Sequence, residues 1–279
     1  MSRVFGEDAA LLGDAAVAAE DLRAMEHGMV AGLGLPVPVG GVLDIHCHLG
    51  RDADGHHLSA DDLVADLHHH DIAEAVAFPA NEPGEAGDFA DANAAVLDGA
   101  GRHPGRIVPF CRVDPSRGAA DAMRRAAAGG ARGLKLHPVA QRFALDSPDA
   151  VGAVERAADL GWPVLIHAGF AARPIADALV RLLTAVPDAR LILAHGARGD
   201  LRDVLRLLAD REGIYFDTSL ALVSDLVELG PERLCFGSDR PYGELATAFL
   251  LVARAAEVGG WGERDLRAVL GETARELLG

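Results

Sequence analysis

The chain has 279 residues, half of them hydrophobic and only 5% aromatic, so its core must be built from Ala, Val, Leu and Ile, as in soluble α/β proteins. A formal net charge of −16, from 26 basic against 42 acidic residues, together with the lack of a basic stripe, disfavours a nucleic-acid partner. Cys47, Cys111 and Cys235 are odd in number and far apart, and Glu7, Asp8, Asp14, Glu20 and Asp21 interrupt the start of the chain, so we expect no disulfide framework, no signal peptide, no membrane anchor and a cytoplasmic protein.

Residues 1–41 read as an N-terminal helical arm, Ala-rich and helical in pattern to about Val30, followed by the Gly/Pro-rich connector "AGLGLPVPVGG". Such an arm reads more readily as a packed helix without a specific role than as padding for a barrel bottom or a subunit interface; the second reading carries the expectation of a homodimer. From residue 42 to 279 short β-rich runs alternate with helical patterns about every 20 to 35 residues. The strand candidates are Val42–Cys47, Ile72–Phe78, Ile107–Val113, Arg132–His137, Pro163–Ala168, Arg190–His195, Gly213–Asp217 and Arg233–Ser238. Several are continuous apolar runs, as strands buried on both faces require. Between them, Leu201, Val204, Leu205 and Leu208 form one helical apolar stripe, and Ser59, Ser147-Pro148 and Asp200 mark helix starts. Eight β-then-α units predict an α/β fold, a (β/α)₈ TIM-type barrel. A doubly wound open sheet gives a similar local pattern, but no G-x-G-x-x-G follows the first strand.

Twelve histidines are present, and His46, His48, His167 and His195 fall at C-terminal ends of predicted strands, as does Asp239. In a barrel these ends converge on one rim. Period two along the first strand aims His46 and His48 to one side and Ile45 and Cys47 to the other, so the pair reads as a clamp. Imidazoles plus a carboxylate suit a divalent ion such as zinc, and three or four protein ligands with an open position define a catalytic site.

The motifs "DIHCHLG", "GLKLHP", "VLIHAG", "LILAHGA" and "FGSDRP", in that order over about residues 42 to 241, resemble the amidohydrolase superfamily, particularly its amidohydrolase-2 branch of metal-dependent lactone hydrolases and decarboxylases. The resemblance implies a distorted (β/α)₈ barrel with a metal at its mouth. It implies His46, His48, His167 and Asp239 as ligands of one divalent metal, most simply Zn²⁺, and His195 as the histidine that contacts substrate or orients the nucleophile. It implies Lys135 as a charged donor to substrate. The alternative, known in binuclear relatives, carboxylates Lys135 and recruits His195 to a second ion. His137 shares the strand face of Lys135 and reads either as a pocket residue or as packing at the strand exit.

The chemistry expected is hydrolysis of an amide, cyclic amide, ester or lactone by metal-activated water, with Asp239 as general base and then acid. His195 would polarise the attacked carbonyl or stabilise the oxyanion. Arg51, Arg112, Arg142, Arg173, Arg198 and Arg240 fall near predicted rim loops, which favours a carboxylate-bearing small substrate; Arg240, beside Asp239, is the first choice, with a salt bridge bracing the eighth-strand loop as its other reading. Non-oxidative decarboxylation of an unsaturated or aromatic acid is the alternative reaction, and a metal-binding scaffold without turnover is a third reading. His68, His69 and His70 end a helix, where three consecutive residues cannot face one ion. His56 and His57 read as solvated loop residues, "DADG" lacks the later ligands of a calcium loop, and Cys47 is expected in the core.

Overall fold

The computed structural model describes residues 24–81, 89–170, 174–208 and 210–279. The start of the arm and Arg173 lie outside the described residues. A helix, α1, covers residues 24–32 and leads through the Pro/Gly connector into β1 (Val42–Arg51). A short β2 (His57–Leu58) folds back antiparallel on the end of β1, pairing Gly50 with Leu58. The remaining strands are β3 (Ile72–Pro79), β4 (Ile107–Pro109), β5 (Cys111–Arg112), β6 (Leu134–Leu136), β7 (Val164–Ile166), β8 (Leu191–Leu193), β9 (Ile214–Asp217) and β10 (Leu234–Cys235). Apart from β2, every strand pairs in parallel with its neighbours, in two runs, β2-β1-β3-β4 and β10-β9-β8-β7-β6-β5.

Backbone hydrogen bonds join the two runs into a ring. β4 and β5 are one strand kinked at Phe110, whose N–H donates to Ala77 at 2.9 Å while the next residue, Cys111, donates to Gly133 at 2.9 Å. Gly133 is required there, because a Cβ would fall 2.3 Å from the Phe110 ring. On the opposite side Ile45 N–H donates to Phe236 O at 2.8 Å, Asp239 N–H to His46 O at 2.9 Å and His48 N–H to Arg240 O at 2.7 Å. The result is a (β/α)₈ barrel, with each of the eight expected strands in place and most of them shorter than their apolar runs.

Helices cover the outside: α2 (Ala60–His69), α3 (Ala90–Arg102), α4 (Ala119–Ala128), a turn α5 (Pro138–Gln141), α6 (Pro148–Asp159), α7 (Ala176–Ala185), α8 (Leu201–Leu208), α9 (Val223–Leu229), α10 (Leu245–Gly259), α11 (Glu263–Arg267) and α12 (Thr273–Leu278). Ser59 caps α2 by accepting from Asp62 N–H at 3.1 Å, and Ser147 caps α6 with Pro148 at its first position. Asp200 departs from expectation. Its carboxylate accepts from Ile175 and Ala176 N–H, at 2.6 and 3.0 Å, so it caps the preceding helix α7 and not its own. No described helix is long and apolar enough to cross a membrane.

The core has two layers. Leu43, Ile45, Val76, Phe78, Phe110, Leu165, Ile192 and Cys235 fill the barrel, closed below by Ala274 and Leu277 of α12. A larger cluster, including Cys47, Ala77, Leu134, Ile166 and Phe216, packs the strands against the helices. Ile45 and Cys47 therefore lie on opposite sides of the wall. The expected alternation fails between them because β1 carries a bulge: Asp44 pairs with Ala75 and Cys47 with Ala77, three steps against two. The extra residue lets Ile45 fill the barrel while His46 and His48 both reach its mouth.

Candidate metal centre

His46 and His48 leave β1 with their Nε2 atoms 3.2 Å apart, and Asp239 Oδ1 lies 3.1 Å from each. Three donor atoms thus surround one point, all on buried residues. Lys135 ends its reach 3.2 Å from the same His46 Nε2, fully buried, its ammonium 4.5 Å from the centre of the Phe78 ring that floors the site. The four come from β1, β6 and the loop after β10, so only barrel closure assembles them.

Whether a cation fits here is decided by what the donors lack. His48 Nδ1 is buried without a hydrogen-bond partner, and His46 Nε2 faces a carboxylate and a second imidazole at contact distance. Lone pairs so close repel unless a positive centre lies among them. The chain registers that demand electrostatically: burial alone would lower the His46 pKa, yet Asp217 and Asp239 raise it. Burial likewise lowers the Lys135 pKa to about 7 and holds His48 well below the ordinary imidazole value. Asp239 runs the other way, since its imidazole neighbours overcome burial and keep the carboxyl well below the usual range. The residues present fit a divalent ion held by two imidazoles and one carboxylate.

Asp217, at the end of β9, was not singled out by sequence. It is fully buried and accepts from His46 Nδ1 at 2.7 Å, while its other oxygen accepts from the N–H groups of His195 and Ser219 at 3.0 Å each. Its place in the row of polar strand ends was the available signal. Asp44 opens the DIHCHLG motif, but nothing in its local sequence announces its partners. Its carboxylate takes the N–H groups of His46 and Ser238 at 3.0 Å each and the Ser238 hydroxyl, tying β1 to the loop that carries Asp239.

The remaining expected residues separate into those the pocket receives and those it does not. His195, His167 and His137 line one cavity of ≈ 400 Å³ with His48, Asp239, Arg112, Asn81, Phe170 and Tyr242. His167 is not part of the three-donor cluster: its Nδ1 lies 3.3 Å from His195 Nε2 and its ring stacks on His137 at 3.9 Å. β7 ends at Ile166, one residue before it, and its other ring nitrogen lies 3.4 Å from Phe170 O. His195 and Asp239 sit at φ of 60° and 62°, conformations that cost a non-glycine residue about 1–3 kcal/mol and concentrate at functional sites.

Of the two readings of Arg240, the geometry matches the salt bridge: its guanidinium pairs with Asp66 on α2 and lies 3.5 Å from Glu244, while its carbonyl accepts from His48 N–H at 2.7 Å. Arg112 instead lines the cavity. It is fully buried, donates to Pro79 O at 3.1 Å and Asn81 Oδ1 at 3.5 Å, and lies 5.0 Å over the Phe89 ring. Among the other rim arginines, Arg198 donates to Leu220 O and covers Phe170.

Cys47 is buried in the outer core, and Asp52 caps its own turn by accepting from Asp54 and His56 N–H at 2.9 Å each, so "DADG" is a self-closed turn. Among the described residues, the groups geometrically able to hold an ion are His46–His48–Asp239 and His46–His195–Asp217, and the latter is threaded by hydrogen bonds.

The sequence model of the family described as Amidohydrolase matches residues 43–279. The chain belongs to that family. Solved structures similar to this family member include a probable 2-pyrone-4,6-dicarboxylic acid hydrolase from Acinetobacter baumannii with citric acid bound, at 19% identity over 85% of this chain and 98% of that one, with a TM-score of 0.62. The 2,6-dihydroxybenzoate decarboxylase from Rhizobium aligns at 16% identity over 85% and 98% of the two chains, TM-score 0.65. The IDCase of Metarhizium anisopliae in apo form aligns at 19% identity over 85% and 96%, TM-score 0.65. At these identities the likeness is one of fold. No curated protein sequence matches the chain. Family membership makes it an enzyme of the hydrolase or decarboxylase kind, acting on a small molecule, with a His/Asp site able to hold a metal.

Proposed function

We propose that this amidohydrolase hydrolyses a cyclic ester, ester, amide or cyclic amide in a small substrate that carries a carboxylate, with Zn²⁺ held by His46, His48 and Asp239. The observation that carries the reading is the convergence of the three donor atoms at 3.1–3.2 Å beneath an open cavity. A bound divalent ion supplies Lewis acidity there, lowering the pKa of water from about 16 to about 7. Asp239, kept ionised by its imidazole neighbours, receives the proton of the attacking water and returns it to the leaving group. Arg112 presents a fixed planar fork to a substrate carboxylate at the cavity wall, and Lys135, brought near neutrality by burial, offers its Nζ as a hydrogen-bond donor beneath the reacting centre. Tyr242 and Phe170 flank the cavity and offer ring faces to a substrate.

Decarboxylation of a carboxylated ring is the second reading, since the same donors and Arg112 would serve it and a decarboxylase shares the fold. A carboxylated pyrone offered in ¹⁸O-labelled water separates the two. Label in the opened acid supports hydrolysis, release of CO₂ with an intact, unlabelled ring product supports decarboxylation, and full turnover by an Asp239→Ala variant would discard the assignment of Asp239.

A further inference from the structure

The proton positions on two of the histidines follow from their partners. His195 Nδ1 lies 3.1 Å from the main-chain carbonyl of Ser219 and 3.0 Å from the Ser219 hydroxyl oxygen. A carbonyl only accepts. The hydroxyl has committed its one proton to Asp217 Oδ1, 2.5 Å away, so toward His195 it accepts as well. Two acceptors facing Nδ1 require an N–H there. A neutral imidazole with its proton fixed on Nδ1 presents a lone pair at Nε2. His46 is treated in the same way by the same carboxylate, its Nδ1 lying 2.7 Å from Asp217 Oδ2.

We propose that Asp217 and Ser219 are positioning residues that lock His46 and His195 in the Nδ1–H tautomer, so that His195 meets water or substrate as a hydrogen-bond acceptor and not as an oxyanion donor. This departs from the role the sequence suggested for His195. In the substrate-free chain that Nε2 faces His167 Nδ1 at 3.3 Å, and His167 donates there only by giving up the 3.4 Å contact of its other nitrogen with Phe170 O. An O–H from water or from a substrate hydroxyl takes that place on binding. The oxyanion must then be met by other groups, and Lys135 Nζ, 3.2 Å from His46 Nε2, is an N–H donor on that side of the cluster. The zinc part of this inference rests on the function proposed above; the tautomers do not.

Asp217→Asn tests it sharply. Oδ1 receives three donors, from His195 N, Ser219 N and the Ser219 hydroxyl, so an Asn carbonyl must occupy that position and its NH₂ must face His46 Nδ1. An amide donor there drives the His46 proton to Nε2, the atom meant for the ion. We expect zinc affinity, measured by competition with a chromophoric chelator, to fall about 10–100-fold, as loss of a carboxylate behind a ligating histidine commonly gives. Long-range ¹H–¹⁵N correlation on the metal-free wild type should show protons on Nδ1 of both His46 and His195 and an unprotonated His195 Nε2, and in the variant a His46 proton on Nε2. A His195 proton on Nε2 in the wild type, or unchanged zinc affinity in a folded Asp217→Asn, overturns the inference. If the wild type binds no zinc, the metal reading falls while the tautomer spectrum still decides this one, and it does so even if the variant fails to fold.

Discussion

Two groups of histidines in this chain have similar local density and opposite fates. His46 and His48, two apart on a strand, bring their Nε2 atoms to 3.2 Å and meet a carboxylate supplied from the other end of the sequence. His68, His69 and His70, consecutive at the end of α2, diverge: His70 turns inward and uses Nδ1 on Asp66 O, while the His69 and His70 rings cross edge-on at 4.8 Å. They line a cleft with Asp62, Asp66 and Glu244, yet no three donors there lie close enough to share an ion among the described residues. Strand period and barrel convergence create a site, whereas neighbours on a helix point about 100° apart and create a polar surface.

Removing a donor from the first group should produce the largest effect. Asp239→Ala or His48→Ala is expected to reduce zinc affinity and turnover by more than about 100-fold, beyond the 10–100-fold typical of residues behind the ligands. Steady-state kinetics and metal analysis of the purified variants check this. Arg112→Lys should come next, raising KM about tenfold with a smaller change in kcat, because an ammonium replaces a planar two-pronged donor; an unchanged KM would remove Arg112 from substrate binding.

A pH effect of intermediate size separates the groups further. Burial lowers His167 to about 3 and His195 to about 4, so below the unfolded value near 6.5 the unfolded chain binds protons the native chain refuses. More protons in the unfolded state mean that stability rises with pH, and for the metal-free protein it should be lost between about pH 6.5 and 4. Denaturant unfolding should show a loss of roughly 2 kcal/mol per histidine between pH 7 and 5. The smallest effect belongs to the helix group: His68→Gln with His69→Gln should leave zinc stoichiometry unchanged and stability within about 0.5 kcal/mol, as surface substitutions usually do.

Most of the fold was legible because buried parallel strands write themselves as apolar runs, and Val164–Ile166 or Leu191–Leu193 could hardly be read otherwise. The rim was legible because polar residues at such strand ends are rare enough to notice. Three things were hidden. The bulge in β1 depends on register against β3, which no single strand announces. Asp217 and Asp44 earn their importance from partners far away in sequence, at His46 and Ser238. Arg112 and Arg240 are alike as rim arginines in one dimension, and only the direction of each side chain sends one into the cavity and the other to Asp66.

The central claim is that residues 46, 48 and 239 hold one divalent ion. Zinc content per chain, measured by elemental analysis after dialysis of wild type and His48→Ala, tests it most directly. One equivalent in the wild type and none retained in the variant is the predicted outcome; equal content in both, or none in a wild type purified with zinc present, would contradict the account.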